Sequence, residues 1–162
     1  MESGFPPIEG ARAVVLVLGT MPSERSLQER EYYAFPRNTF WNVMEAFGAG
    51  RDVPYEERCS HLKGAGIAVW DVLASCSRKG SLDKDIKNAT PNDLAAFHSR
   101  HPELRAVFLN GSTAAKYFKR FVGELEGVQV RVMPSTSPAL ARKGKTEVWR
   151  QTLAEFLQLG SA

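Results

Sequence analysis

The segment ARAVVLVLG, residues 11–19, constrains the fold of this chain more than any other. Its run of valine and leucine does not alternate with polar residues, and it ends at Gly19. Such a run is typical of a strand that is buried on both faces, as in parallel sheets that carry helices on each side. The segment therefore predicts a central parallel strand.

Further strands and helices alternate along the rest of the chain. Apolar runs predict strands over 67–73, 104–110 and 128–134. Helical spacing, with polar starts and glycine stops, predicts helices over 39–48, 55–66, 91–102, 111–123 and 145–159. The polar segment 74–90 predicts a long loop. The alternation predicts an α/β fold, a three-layer α/β/α sandwich with a central four-stranded parallel sheet.

The size and composition of the chain limit the class of protein. Its 162 residues predict one domain over 1–162, with residues 1–10 as a flexible arm. We expect no membrane partner, because no apolar run reaches spanning length. Without a CxxC motif or a Cys/His cluster we expect no metal, and the two cysteines fit a reducing cytoplasm. The net charge of +3 permits a polyanionic partner without requiring one.

Polar residues are concentrated where the predicted strands end. The four strands are followed by GTMPSERS, DVLASCSRKGS, NGS and PSTSPALARKGK. Ligands of open parallel sheets bind beyond these carboxyl ends. Ordinary turns favour the same residues, but Asp71 lies inside an apolar run, where an unpaired carboxylate is costly. We therefore expect a site at this edge, with Asp71 either binding a ligand or bracing a loop.

The sequence offers little for nucleophilic catalysis. It contains no GxSxG, P-loop or GxGxxG motif, and its three histidines lie away from the strand ends. The remaining site is made of amides, hydroxyls, a carboxylate and the rings of YYAFPRNTFW, residues 32–41. Such a site suits a flat heterocycle attached to a phosphate backbone.

Several segments in order resemble the uracil-DNA glycosylase superfamily, and most of all its hypoxanthine-DNA (deoxyinosine) glycosylase branch. They are GTMPSERSL (19–27), YYAFPRNTFW (32–41), IAVWDVLASCSRKGSLDKDI (67–86), FLNGSTAAK (108–116) and MPSTSPALA (133–141). The resemblance covers nearly the whole chain, from about residue 13 to the last predicted helix.

This resemblance implies a monofunctional DNA glycosylase of base excision repair. Such an enzyme flips a deaminated base, here deoxyinosine first, out of double- or single-stranded damaged DNA and hydrolyses its N-glycosidic bond without a cofactor. It also implies a monomer in the bacterial cytoplasm or nucleoid. Three alternatives stay open: a uracil or mismatch uracil/thymine glycosylase, a non-catalytic nucleic-acid-binding module, and an α/β enzyme of free nucleotides or small metabolites.

The resemblance also implies site residues. For catalysis it implies Asn38, which would position the water, and Ser135 or Thr136, where many relatives carry a histidine that stabilises the leaving base. For base binding it implies Phe40 as the stacking ring, together with Gly19, Thr20, Met21, Asp71 and Asn110. The side chain of Asn110 has an alternative role as a helix cap.

The loop after the fourth strand would enter the DNA, with Ala139 and Leu140 filling the vacated stack. Arg37 and the basic residues after the wedge would hold phosphates. The DNA-binding residues expected on this basis are Pro22, Ser23, Arg37, Ser137, Pro138, Ala139, Leu140, Arg142, Lys143 and Lys145.

Overall fold

The computed structural model describes residues 1–158. Its helices and strands are, in chain order, β1 (Glu2–Ser3), β2 (Val15–Gly19), α1 (Glu24–Glu29), α2 (Phe40–Met44), α3 (Tyr55–Ala65), β3 (Ile67–Asp71), β4 (Leu73–Ser77), β5 (Lys87–Pro91), α4 (Leu94–Arg100), β6 (Ala106–Asn110), α5 (Ser112–Phe121), β7 (Gln129–Met133) and α6 (Lys145–Leu153). Single 3₁₀ turns cover Glu45–Phe47 and Asp83–Asp85. No helix within residues 1–158 is long and apolar enough to cross a membrane.

Four strands form the central sheet, in the order β3-β2-β6-β7, and every neighbouring pair is parallel. The register sets Gly19 opposite Asp71 and Asn110 opposite Met133, so the four strands end together. The predicted α/β sandwich with its parallel sheet is confirmed.

The central strand β2 contributes to two separate cores. Successive side chains of a strand point to opposite faces. Val15 and Val17 pack with α2, α3 and α6, where Trp41 and Trp149 are fully buried. Leu16 and Leu18 pack on the other face with α4 and α5. This double burial explains why the run of valine and leucine shows no alternation.

Segment 74–90 is not the long loop expected from its polar composition. Strands β4 and β5 pair there in antiparallel fashion, and β1 adds to β4, which makes a second sheet of three strands. Strand β5 is largely exposed, so polar residues suit it. Pro91 closes β5 instead of starting the next helix, which begins after Asp93 caps its first turn.

The N-terminal residues are not a flexible arm, and that expectation is wrong. Ile8 pairs with Val69 along β3, the edge strand of the central sheet, through backbone hydrogen bonds of 2.8 and 3.0 Å. The indole of Trp70 donates to the Phe5 carbonyl at 3.0 Å, and the Tyr32 hydroxyl donates to the Pro6 carbonyl at 2.9 Å. The segment packs because it provides partners for an otherwise unpaired edge.

Replacing Ile8 with alanine tests this packing. Ile8 is 7% exposed, and we expect Ile8→Ala to lower the free energy of unfolding by about 2–4 kcal/mol, as for other buried isoleucines. Urea unfolding measures the change, with the exposed neighbour Ser3→Ala as the control. An Ile8→Ala protein as stable as wild type would mean that the segment is loose.

Candidate active site

A cavity of about 550 Å³ opens at the carboxyl edge of the central sheet. The ends of β2, β3 and β6 form its floor, and the loop that follows β7 forms one wall. Thirteen of the expected site residues line it, namely Gly19, Thr20, Met21, Pro22, Ser23, Asn38, Asp71, Asn110, Ser135, Thr136, Ser137, Pro138 and Ala139. The strand ends bring these distant segments together.

The carboxyl group of Asp71 lies at the floor of the cavity. The residue is 4% exposed, and its Oδ2 is buried without a hydrogen-bond partner among the described residues. Gly19 faces it across the β2–β3 pair, where a Cβ atom would lie 2.6 Å from Oδ1 and 3.0 Å from the Tyr33 hydroxyl. A side chain at position 19 would therefore displace the carboxyl group.

Burial raises the pKa of Asp71 to about 7, while the charge of Arg78 lowers it and that of Asp83 raises it further. The guanidinium of Arg78 is fully buried and donates to the Pro22 carbonyl and, at 3.4 Å, to Glu2. Arg78 thus holds the loop after β2 in place and moderates the pKa of Asp71. No sequence pattern identifies Arg78, because its partners are distant in sequence.

The aromatic segment 32–41 is held by a second arginine. Nη2 of Arg51 donates to the carbonyls of Tyr33, Phe35 and Asn38, at 3.0, 2.6 and 3.0 Å. Tyr33 adopts a left-handed φ of 55°, which is uncommon outside glycine. These contacts hold a tight turn in place. No local sequence motif indicates that Arg51 binds this turn.

The assignment of Phe40 as the stacking ring is wrong. Phe40 is fully buried in α2 and stacks against Tyr33, with ring centroids 4.2 Å apart. Phe35 is half-buried, and its ring lines the cavity. Helical spacing with Val43 and Met44 was the available signal that Phe40 points to the core. The guanidinium of exposed Arg37 lies 5.4 Å from the Phe35 ring centroid.

Asn38 lines the cavity, and its side chain uses part of its hydrogen-bonding capacity within the protein. Its Oδ1 accepts from the Phe40 amide at 3.0 Å, which orders the start of α2. A carbonyl oxygen has a second acceptor site, so Oδ1 retains capacity for a water molecule. The backbone N–H of Asn38 donates to the Phe35 carbonyl at 2.9 Å. The side chain is therefore oriented before any ligand binds.

Asn110 and Thr136 join three walls of the cavity. Asn110 Nδ2 donates to the hydroxyls of Tyr33 (3.2 Å) and Thr136 (3.0 Å), and its Oδ1 accepts from the Thr136 amide at 2.9 Å. The carbonyl of fully buried Thr136 accepts from the Thr39 amide at 3.0 Å. Asn110 is not a helix cap, because α5 begins after Gly111 without a side-chain cap. Its amide braces the cavity.

The residues expected to bind DNA in the loop after β7 fall into two groups, those that line the cavity and those that lie beyond it. Ser135, Ser137, Pro138 and Ala139 line the cavity. Leu140, Arg142 and Lys143 are exposed beyond it, so their predicted contacts with DNA stay predictions.

Lys145 is the exception among the basic residues, and its assignment to phosphate is wrong. The side chain is 7% exposed, and its ammonium group donates to three backbone carbonyls within the protein. No donor of Lys145 is left for a phosphate.

A family model for the uracil DNA glycosylase superfamily matches residues 6–158. The chain belongs to the uracil DNA glycosylase superfamily. It is 34% identical over 147 residues to a protein of Methanosarcina acetivorans named hypoxanthine DNA glycosylase, an alignment that covers 90% of this chain and 92% of that one. A protein of the same name from Methanosarcina barkeri is 29% identical over 148 residues, with the same two coverages.

Solved structures agree with this membership. The solution NMR structure of a Methanosarcina acetivorans protein described as a candidate uracil DNA glycosylase superposes with a TM-score of 0.83. The two are 32% identical, and the match covers 95% of this chain and 97% of that one. The fold that forms the cavity at its carboxyl edge is therefore shared with this structure.

The raised pKa of Asp71 predicts a pH-dependent cost of folding. Because the folded protein favours the protonated form, that cost grows as the pH rises from 3.8 to about 7. Asp71→Asn cannot ionise, so we expect it to stabilise the protein more at pH 8 than at pH 4.5. The shift sets an upper limit of about 3 kcal/mol on the difference, because part of the cost is already present at pH 4.5.

Urea unfolding of both proteins at the two pH values measures this, with exposed Asp52→Asn as the control. An Asp71→Asn effect that is equal at both pH values would mean that the carboxyl group is ionised throughout.

Proposed function

We propose that this protein is a DNA glycosylase that releases hypoxanthine from DNA. The observation that carries the proposal is the unpaired carboxyl group of Asp71 at the floor of a cavity of the size of a small-ligand site. An unpaired buried polar group costs free energy, which a ligand with a complementary edge recovers. The relatives named hypoxanthine DNA glycosylase support the choice of base.

Hypoxanthine presents an N1–H donor beside the O6 acceptor. A neutral carboxylic acid pairs with this edge at two points, since its carbonyl oxygen accepts from N1–H and its O–H donates to O6. The raised pKa of Asp71 makes the neutral form available near neutral pH. A neutral acid also avoids placing a negative charge against the departing base, which gains electron density as the bond breaks.

Phe35 and Asn38 complete the proposed chemistry. The Phe35 ring, half-buried at the cavity wall, stacks on the flipped base. Asn38 Oδ1 accepts from a water that attacks the sugar as the glycosidic bond breaks, and the hydroxyl of Ser135, which also lines the cavity, contacts the leaving base. The carbon–nitrogen bond breaks, the base leaves with the electron pair and a proton, and the sugar gains the hydroxyl.

The product is an abasic site in an intact strand. No lysine is among the cavity-lining residues in the described part of the chain, and Lys145 is occupied by backbone carbonyls. A Schiff-base step that would cut the strand therefore has no amine to carry it. We infer that the protein acts as a monomer in the cytoplasm on double- or single-stranded damaged DNA; the relatives named hypoxanthine DNA glycosylase support DNA as the substrate.

A single-turnover assay on defined oligonucleotides tests the function. Matched duplexes carry inosine, uracil, xanthine or only normal bases, and abasic sites are revealed by alkaline cleavage. We expect release of hypoxanthine above all other bases. Guanine shares N1–H and O6, and the cost of opening its pair protects it.

The same assay separates the alternatives. Release of uracil alone would establish a uracil or mismatch glycosylase. DNA binding without abasic sites would indicate a non-catalytic module, and tight binding of free nucleosides would indicate a metabolite enzyme.

Replacing Asn38 tests the water-positioning step. We expect Asn38→Ala to lower the rate of excision at least about 100-fold, the lower range for loss of a positioned acid–base group. DNA affinity should change by less than about threefold, because the loop after β7 and the exposed Arg142 and Lys143 are unaltered. Asn42→Ala, an exposed asparagine on α2, is the matched control. Wild-type excision by Asn38→Ala would remove Asn38 from the mechanism.

A further inference from the structure

The ammonium group of Lys145 is enclosed by one loop. Its three donors reach the carbonyl oxygens of Ser135 at 3.0 Å, Ser137 at 2.9 Å and Leu140 at 2.9 Å. Residues 135–140 therefore curve around one cation. We name this segment the wedge loop.

General stability does not explain a lysine at this position. The residue is 7% exposed, and burial lowers the pKa of its amine. None of the ion pairs among the described residues includes it, so no carboxylate offsets the loss of hydration. It also begins α6, where the helix dipole disfavours a cation. A costly group at this position calls for a role beyond packing.

The other hydrogen bonds of the wedge loop act only at its start or over short range. Thr136 is tied to Asn110 and to Thr39 at the beginning of the loop. Beyond it, the Ser137 hydroxyl accepts from the Ala139 amide at 3.2 Å, and the Ser137 carbonyl accepts from the Leu140 amide at 3.1 Å. The Ser135 hydroxyl accepts from the Ser137 amide at 3.2 Å. Among the described residues, Lys145 is the one side chain that bonds both to the beginning of the loop, at Ser135, and to its far side, at Leu140.

The far side carries the apolar residues. Ala139 lines the cavity mouth, and Leu140 is 38% exposed, one of the few large apolar side chains in residues 1–158 that face solvent. A side chain that enters a base stack must be held in place, because ordering a loose loop on binding costs conformational entropy. One short loop thus carries both the carbonyl groups that Lys145 holds and the exposed side chain of Leu140.

We propose that Lys145 is a positioning residue that holds the wedge loop ready for insertion into the DNA stack, with Leu140 as the side chain it presents. The inference rests on the proposed function, since it concerns the opening of the stack before excision. Lys145 acts through the loop and does not contact the DNA.

The test compares substrates that do and do not require a base to leave a duplex. We expect Lys145→Met to lower single-turnover excision of hypoxanthine from duplex DNA about tenfold, a part of the few kcal/mol that unstacking costs. Excision from the same oligonucleotide as a single strand should change less than about twofold, since little unstacking is needed there. Lys119→Met, an exposed lysine on α5, removes the same charge and should match wild type on both.

A double-mutant cycle separates positioning from general support. If Lys145 acts through Leu140, then adding Lys145→Met to Leu140→Ala should cost less than about twofold on the duplex, because neighbouring effects on one step are not additive. Equal losses on both substrates, or costs that multiply in the double variant, would overturn the inference. Lys145→Gln keeps a donor amide, so its rate of excision from the duplex should fall between those of wild type and Lys145→Met. If the methionine variant unfolds, the glutamine variant replaces it in the test.

A fluorescent base makes the test independent of excision. With 2-aminopurine beside inosine, wild type should raise the fluorescence as the stack opens, and Lys145→Met should raise it much less. If wild type opens the stack and releases no base, the proposed function fails and the role of Lys145 stands. Equal fluorescence with both proteins would overturn the role of Lys145.

Discussion

The side-chain amide of Asn110 is the contact on which the cavity depends. It joins the end of β6 to Tyr33 of the aromatic segment and to Thr136 of the wedge loop. Thr136 then binds the Thr39 amide, next to Asn38. Because buried polar groups are costly when unpaired, each of these contacts restrains the others. One amide therefore helps to set both the segment that carries Asn38, our proposed water-positioning residue, and the loop that we propose enters DNA.

Most buried polar groups around the cavity are occupied by the backbone. Arg51 binds three carbonyls of the aromatic segment, and Lys145 binds three carbonyls of the wedge loop. Asp71 differs, because its Oδ2 is buried and unpaired. Nε of Arg51 and both Nε and Nη1 of Arg78 are also buried without a partner among the described residues, so Asp71 differs in offering an unpaired oxygen and not an unpaired N–H group. A rigid surround with such an oxygen is suited to selecting a ligand, since recognition then needs little reorganisation. This contrast supports the proposal that Asp71 reads the base.

Sequence patterns predicted the sheet and the location of the site, because apolar runs identify buried strands and parallel strands end at one edge. They were wrong about Phe40, since proximity to Asn38 in sequence does not say which way a helical side chain points. They were wrong about Lys145 because a lysine after a Ser/Thr-rich turn resembles a phosphate site. Segment 74–90 was missed as a hairpin, because exposed strands tolerate polar residues.

The sequence by itself determined the α/β architecture, the carboxyl-edge site and the superfamily, because these depend on hydrophobic patterning and on motif order. Only the tertiary structure decided which polar groups are free to act. The partners of Asn110 are distant in sequence, and those of Arg51 and Lys145 are backbone carbonyl groups. No spacing rule in the sequence reveals such partners. The carboxyl group of Asp71 has room at the cavity floor because Gly19, on the neighbouring strand, lacks a Cβ atom, which would lie 2.6 Å from Oδ1. Its Oδ2 has no hydrogen-bond partner among the described residues.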